Sequence, residues 1–175
     1  MSDARPILGI DPGITGGIAF LYPLGAKRTH VSESGDGGKT ETCFRFEIQA
    51  FDIPVVGGEV DVDTLAALVE QHDPRLAIIE RASAMPRQGV SSTFKYGVAY
   101  GSLRTLCTLG RIPYHLVTPG RWKNYVKLNA DKEKSRALAI QFWPGAGCFS
   151  RKMDHGRAEA ALIARYGVEV LERPT

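Results

Sequence analysis

Ile7-Leu8-Gly9-Ile10-Asp11-Pro12-Gly13, continued by Thr15-Gly16-Gly17 and the apolar residues 18–22, is the stretch that decides the architecture of this 175-residue chain. Four apolar residues in succession read as a short buried strand. Asp-Pro-Gly breaks it, and Gly16-Gly17 makes a second tight point. Apolar character resumes at Ile18, so the two segments form a hairpin. A carboxylate beside a buried strand is costly to ionise unless something positive neutralises it. Asp11 is therefore either a turn residue or one member of a charged site completed by distant parts of the chain.

Three further acids stand at the edges of apolar segments. Glu80 ends Leu76-Ala77-Ile78-Ile79, a buried strand expected to run parallel to the first. Asp154 and Glu159 open the apolar residues 160–164. Ligand sites in open α/β sheets gather at the carboxyl ends of strands. That rule sets Asp11 beside Glu80, with the last helix supplying its acids from across the edge. Four carboxylates suit a hard divalent cation, Mg²⁺ or Mn²⁺ in its place. Two such ions about 4 Å apart clamp a phosphodiester and activate water. Asp154 and Glu159 are five residues apart and do not share a helical face, so Asp154 precedes the helix or caps it. His155 does share a face with Glu159. It is either a ligand or water-positioning group, or an exposed first-turn histidine.

The remaining elements follow from periodicity and breakers. Residues 23–42, rich in Gly, Ser, Thr and charge, read as a long exposed turn, and residues 43–53 as a third strand stopped at Pro54. Asp63 is read as the N-cap of a helix through Leu65, Leu68 and Val69. A polar loop over residues 81–91 leads into a helix from Ser92 that ends at Gly110. A strand follows over residues 114–117, then a short helix over 122–126 and longer ones over 131–142 and 155–166. Strands alternating with helices give an α/β sheet of mixed direction in a single domain over residues 1–175.

Composition sets the partners. Residues 1–80 hold six Lys/Arg against thirteen Asp/Glu, a balance of −7, and the rest of the chain has a balance of +10. A basic second half points to nucleic acid. Cys43, Cys107 and Cys148 are odd in number and lack metal-binding spacing, so they read as reduced thiols. No apolar run approaches the roughly 20 residues of a membrane span, and the first residues lack a signal pattern. The expectation is a cytoplasmic protein, bacterial or phage-encoded, with no membrane partner and no nucleotide cofactor. An actin-like or sugar-kinase-like ATPase shares the strand-acid-glycine opening but needs two lobes, for which this chain is too short.

The segments Leu8-Gly9-Ile10-Asp11-Pro12-Gly13 with Thr15-Gly16-Gly17, Ile78-Ile79-Glu80, and Asp154-His155-Gly156-Arg157-Ala158-Glu159-Ala160-Ala161-Leu162-Ile163-Ala164 together resemble the RuvC-type Holliday junction resolvases. The likeness covers nearly the whole chain in the right order. It implies a ribonuclease H-like fold, a mixed five-stranded sheet flanked by helices. It also implies a homodimer and Mg²⁺-dependent paired nicking of four-way junction DNA. By position, Asp11, Glu80, Asp154 and Glu159 would be the metal ligands. Bacterial members end with two aspartates three apart. Here Gly156 stands three before Glu159, so the fourth ligand is open between Asp154 and His155, and the pattern looks closer to phage and organellar relatives. Lys123 and Lys134 fall at the family's spacing for lysines near the scissile phosphate, where a cation offsets developing charge.

DNA contacts are read from two basic stretches. The loop after Glu80 offers Arg87 and Lys95 to phosphate and Gln88 for hydrogen bonding. Phe94 either stacks on an unpaired base at the branch point or packs inward. Arg121, Lys127, Lys132 and Arg136, with Arg157 on the last helix, are expected phosphate contacts that position DNA without reading its sequence. The helix beginning at Ser92, with Gly97, Ala99 and Gly101, is the expected dimer face. A junction-binding module without catalysis, or a related nuclease acting on flaps, are the alternatives.

Overall fold

The computed structural model describes residues 4–26, 44–81, 83, 89–129 and 131–171. Strand β1 (Ile7–Asp11) pairs antiparallel with β2 (Gly17–Ala26), with Asp11 opposite Gly17. β2 pairs antiparallel with β3 (Phe44–Asp52). A two-residue Gly57-Gly58 turn then joins β4 (Val55–Val56) to β5 (Glu59–Val60). Helix α1 (Val62–His72) leads to β6 (Leu76–Glu80), which lies parallel to β1. Helix α2 (Val90–Leu109) crosses to β7 (Tyr114–Val117), parallel to β6. The sheet order is β3-β2-β1-β6-β7. Three helices follow: α3 (Pro119–Tyr125), α4 (Lys132–Phe142) and α5 (His155–Tyr166), the last continued by a π-helical turn Gly167–Leu171.

Side-chain alternation along the strands divides the interior into two layers. Ile7, Ala19, Leu21 and Ile78 point to the face covered by α4 and α5, where Trp122, Ala160, Leu162 and Ile163 pack. Leu8, Ile10, Ile18, Phe20 and Ile79 point to the other face, against Leu65 and Val69 of α1 and Leu103 of α2. β1 and β6 are buried on both faces, which is why their sequences are continuously apolar.

Several expectations are corrected. Residues 23–26 belong to β2 rather than to a turn, and residues 27–42 lie outside the described residues. The α1 cap is Asp61, not Asp63. Asp61 accepts the Thr64 backbone N–H at 3.1 Å, and Asp63 sits in the first turn. Among the described residues no helix is long and apolar enough to cross a membrane.

Candidate metal and nuclease centre

The fold brings three of the four acids to one edge. Asp11 closes β1, Glu80 closes the parallel neighbour β6, and Glu159 lies one turn into α5. Glu80 and Glu159 are only 9% and 6% exposed. The close approach of α5 is made by missing side chains. A Cβ on Gly17 would lie 2.6 Å from the Arg157 nitrogen and from Gly156, so the start of α5 rests directly on the β1–β2 turn.

Glu80 and Glu159 are held by neighbours on α3 and α4. The fully buried Trp122 indole donates from Nε1 to Glu80 Oε2 at 2.6 Å. Glu159 Oε1 accepts from Lys123 Nζ at 2.9 Å and from the buried Ser135 hydroxyl at 3.0 Å. Burial pushes the Asp11 carboxyl well above its ordinary range, and the charges of Glu159 and Glu80 push it further, against the pull of Lys132 and Lys123. Burial also raises Glu80, with Glu159 adding to it and the Trp122 hydrogen bond opposing. The three carboxyls thus act on one another as like charges.

Such a set has the chemistry of a hard-cation site, because a divalent ion relieves both the burial cost and the mutual repulsion. Among the described residues no three His, Cys, Asp or Glu side chains already converge as ligands. The Lys123 ammonium and the Trp122 indole satisfy Glu159 and Glu80 instead.

The structure commits Asp154 elsewhere. Its carboxylate is 1% exposed and accepts from the Arg151 backbone N–H and from Arg151 Nε, both at 2.7 Å, with Arg157 Nε at 3.6 Å. Both arginines also grip Asp52 at the end of β3, at 2.7 to 2.8 Å. The Arg157 hydrogen bond, helped by Arg151, holds the Asp52 carboxyl at about 2. This network staples the start of α5 to β3, with the Asp154 carboxylate taken up by the two arginines. His155 is half-buried at the first position of α5 and lines an open cleft with Lys132 and Lys152.

The basic residues also sort by position. Arg157, through Asp52, and Arg136, which pairs with Glu133 at 2.5 Å and donates to the Phe149 carbonyl at 3.0 Å, are internal cross-links rather than free phosphate contacts. Arg121, Lys127, Lys132, Lys134 and Lys95 are exposed. Lys132 is the α4 lysine whose charge acts on Asp11, because it shares a helical face with Ser135; Lys134 is one position off that face. Phe94 does not pack inward but is 72% exposed. Arg87 and Gln88 lie outside the described residues.

Trp122 and Ser135 are the site residues that sequence reasoning missed. Neither contact is local, Trp122 reaching 42 residues back to Glu80 and Ser135 24 residues forward to Glu159. The one available signal was an indole between two cations, Arg121 and Lys123. Trp122→Phe keeps most of the buried volume but leaves Glu80 without its donor. It is expected to lower metal affinity or metal-dependent turnover about 10- to 100-fold, as loss of an orienting partner does. Calorimetric metal titration of folded Trp122→Phe checks this.

No family model matches the sequence, and no curated protein does. Solved structures do. The Thermus thermophilus RuvC structure is 15% identical, with 94% of this chain and 96% of that chain covered and a TM-score of 0.57. T. thermophilus RuvC in complex with Holliday junction substrate is 13% identical over the same shares, with a TM-score of 0.58. The Fowlpox virus resolvase, solved with its substrate Holliday junction DNA, is 12% identical, with 97% of this chain and 100% of that chain covered and a TM-score of 0.53. At these identities the likeness establishes architecture, and the chain has the ribonuclease H-like fold: a mixed five-stranded sheet flanked by helices.

Proposed function

We propose that this chain is a metal-dependent endonuclease that resolves four-way DNA junctions by paired, symmetric nicks. The observation that carries this reading is the gathering of Asp11, Glu80 and Glu159, with Lys123, at one sheet edge. Solved structures of the same architecture include two bound to Holliday junction DNA.

Asp11, Glu80 and Glu159 would hold Mg²⁺, or Mn²⁺ in its place. When bound, such ions supply Lewis acidity and a water activated for in-line attack on phosphorus. The chain's own residues set up that chemistry. Trp122 fixes the Glu80 carboxylate and Ser135 fixes Glu159. Lys123, relieved of Glu159 once that carboxylate is otherwise neutralised, offers an ammonium to the charge growing on the phosphoryl oxygens. Exposed Arg121, Lys127, Lys132 and Lys95 contact the backbone, so affinity falls steeply with salt.

The test is a synthetic four-way junction incubated with the wild-type chain and Mg²⁺ or Mn²⁺, cuts being mapped strand by strand beside a flap and a linear duplex. Symmetric nicks on opposing strands support the reading. Binding without cleavage in both metals would make the chain a junction-binding module, and preferential flap cutting would make it a different nuclease.

One centre cuts one strand, so two symmetric cuts call for a twofold dimer. The outer face of α2 fits that role. Val90 is 88%, Phe94 72% and Val98 41% exposed, while Gly97 and Gly101 have open space above them. Ala99 is buried and faces the core instead. A Cβ added at Gly101 meets nothing within 4 Å in its own chain, so Gly101→Arg has an open path to solvent and the fold is expected to survive it. It is expected to convert a dimer into a monomer in sedimentation equilibrium and to uncouple the paired cuts into single nicks.

A further inference from the structure

Lys123 serves two of the acids at once. Its Nζ lies 2.9 Å from Glu159 Oε1 and 5.0 Å from the centre of the Trp122 ring, whose indole donates to Glu80. Its charge also bears on Asp11 and Glu80, pulling both carboxyls down against the effect of their burial. The side chain is 19% exposed, so the lysine still reaches solvent. Glu159 has a second donor, the buried Ser135 hydroxyl, which also binds Oε1, at 3.0 Å. That bond is neutral and holds the carboxylate whether or not Lys123 stays. The ion pair is therefore the charged contact that Glu159 can give up.

An ammonium and a divalent cation compete for such a carboxylate. Setting both against Glu159 adds repulsion in a buried site with little water to screen it. A cation held by Asp11, Glu80 and Glu159 therefore displaces Lys123, which is left without a partner unless another anion takes it. A DNA phosphate at the same edge is that anion. We propose that Lys123 is an exchange contact: it neutralises Glu159 in the free protein and passes to a DNA phosphate in the complex, so that divalent-cation binding and DNA binding strengthen each other. The inference rests on the metal-dependent nuclease reading and adds an order of events to it. Linkage makes the effect reciprocal: the factor by which the cation tightens DNA is the factor by which DNA tightens the cation. The free protein thus holds its cation weakly, and the centre is loaded on the DNA.

The test uses the full chain with Ca²⁺ as the probe, at a temperature where gels show no nicking. Calorimetry gives the Ca²⁺ affinity of the free protein. Anisotropy of a labelled four-way junction gives DNA affinity with and without Ca²⁺ at fixed ionic strength. Ca²⁺ is expected to tighten wild-type junction binding about 5- to 150-fold, the usual span of coupling between two sites. Lys123→Met should bind Ca²⁺ more tightly than the wild type when free, and its junction affinity should no longer respond to Ca²⁺. Lys123→Gln keeps a neutral donor for Glu159 and should behave alike, which covers the case of a methionine variant that fails to fold. Arg121→Gln removes an exposed charge two residues away. It should weaken junction binding yet leave the response to Ca²⁺ intact. A response that survives in both Lys123 variants would overturn the exchange. A wild type that binds Ca²⁺ when free, but whose junction affinity ignores it, overturns the exchange alone. One that binds no Ca²⁺, free or on the junction, overturns the metal-centre reading with it.

Discussion

Replacing Asp11 with asparagine is expected to abolish metal-dependent nicking while stabilising the metal-free protein. The loss of activity follows from the Lewis-acid contribution, which is worth several kcal/mol and hence about a thousandfold or more in rate. The gain in stability follows from the position of Asp11 among Glu159 and Glu80. Its folded-state pKa is raised, so the protonated form is the one the fold favours. The stability associated with that proton is fully present below the unfolded value and is lost as pH rises through the folded one. The metal-free wild type therefore weakens with rising pH, and Asp11→Asn escapes Asp11's share of that loss. Thermal melts in chelator from pH 4 to pH 8 should show the two proteins converging in acid. At the alkaline end the variant should lead by about 1–3 kcal/mol, the scale of an uncompensated buried polar group. Added Mg²⁺ should reverse the order by stabilising the wild type alone. A variant that melts below the wild type at pH 8 in chelator would show that Asp11 is a structural partner instead of a strained ligand.

How much of this was legible in the sequence depends on how local each cause is. The β1–β2 hairpin was legible because Asp-Pro-Gly and Gly-Gly have few conformations open to them, and the parallel β6 because a strand buried on both faces is apolar throughout. Glu80 and Glu159 were read on the same logic, each being a carboxylate set at the edge of an apolar run, residues 76–79 for the one and 160–164 for the other. Asp154 was read with them, and in the fold its carboxylate is engaged by arginines. Its partners Arg151 and Arg157 stand three residues to either side, where they read as scattered surface charge. Only Asp52, 99 residues before Arg151, turns them into a clamp. The β4–β5 turn was readable and missed. Gly57-Gly58 at φ 61° and 83° is the two-residue hairpin loop that paired glycines favour. Asp61 against Asp63 was undecidable locally, since both present a capping carboxylate just ahead of the first buried leucine, Leu65.

The second large effect falls on β1 itself, at a residue with no functional group. Gly9 faces α5 so closely that a Cβ there would lie 2.0 Å from the Ala160 carbonyl oxygen and 2.7 Å from the Ala164 nitrogen. Strand and helix meet backbone to backbone, with only small side chains in between, and the next residue along the helix from that contact is Glu159. Gly9→Ala therefore forces α5 away from the sheet. Overpacking a dense core costs about 1–3 kcal/mol and more when nothing can yield. Here the obstacle is main chain held by helical hydrogen bonds, so a loss above 3 kcal/mol is expected, a large part of the roughly 5–15 kcal/mol that holds a domain together. Urea unfolding would register it as a lowered midpoint. The contact makes a further demand: because the clash is with backbone, Gly9→Ala/Ala164→Gly should recover little of the loss, although the Ala164 Cβ itself would stand 2.9 Å from the added methyl. Full rescue by that double variant would mean the side chain set the spacing. Failure of rescue, with nicking lost even under conditions where Gly9→Ala remains folded, would show that the position of Glu159 beside Asp11 is set by the glycine in the strand behind it.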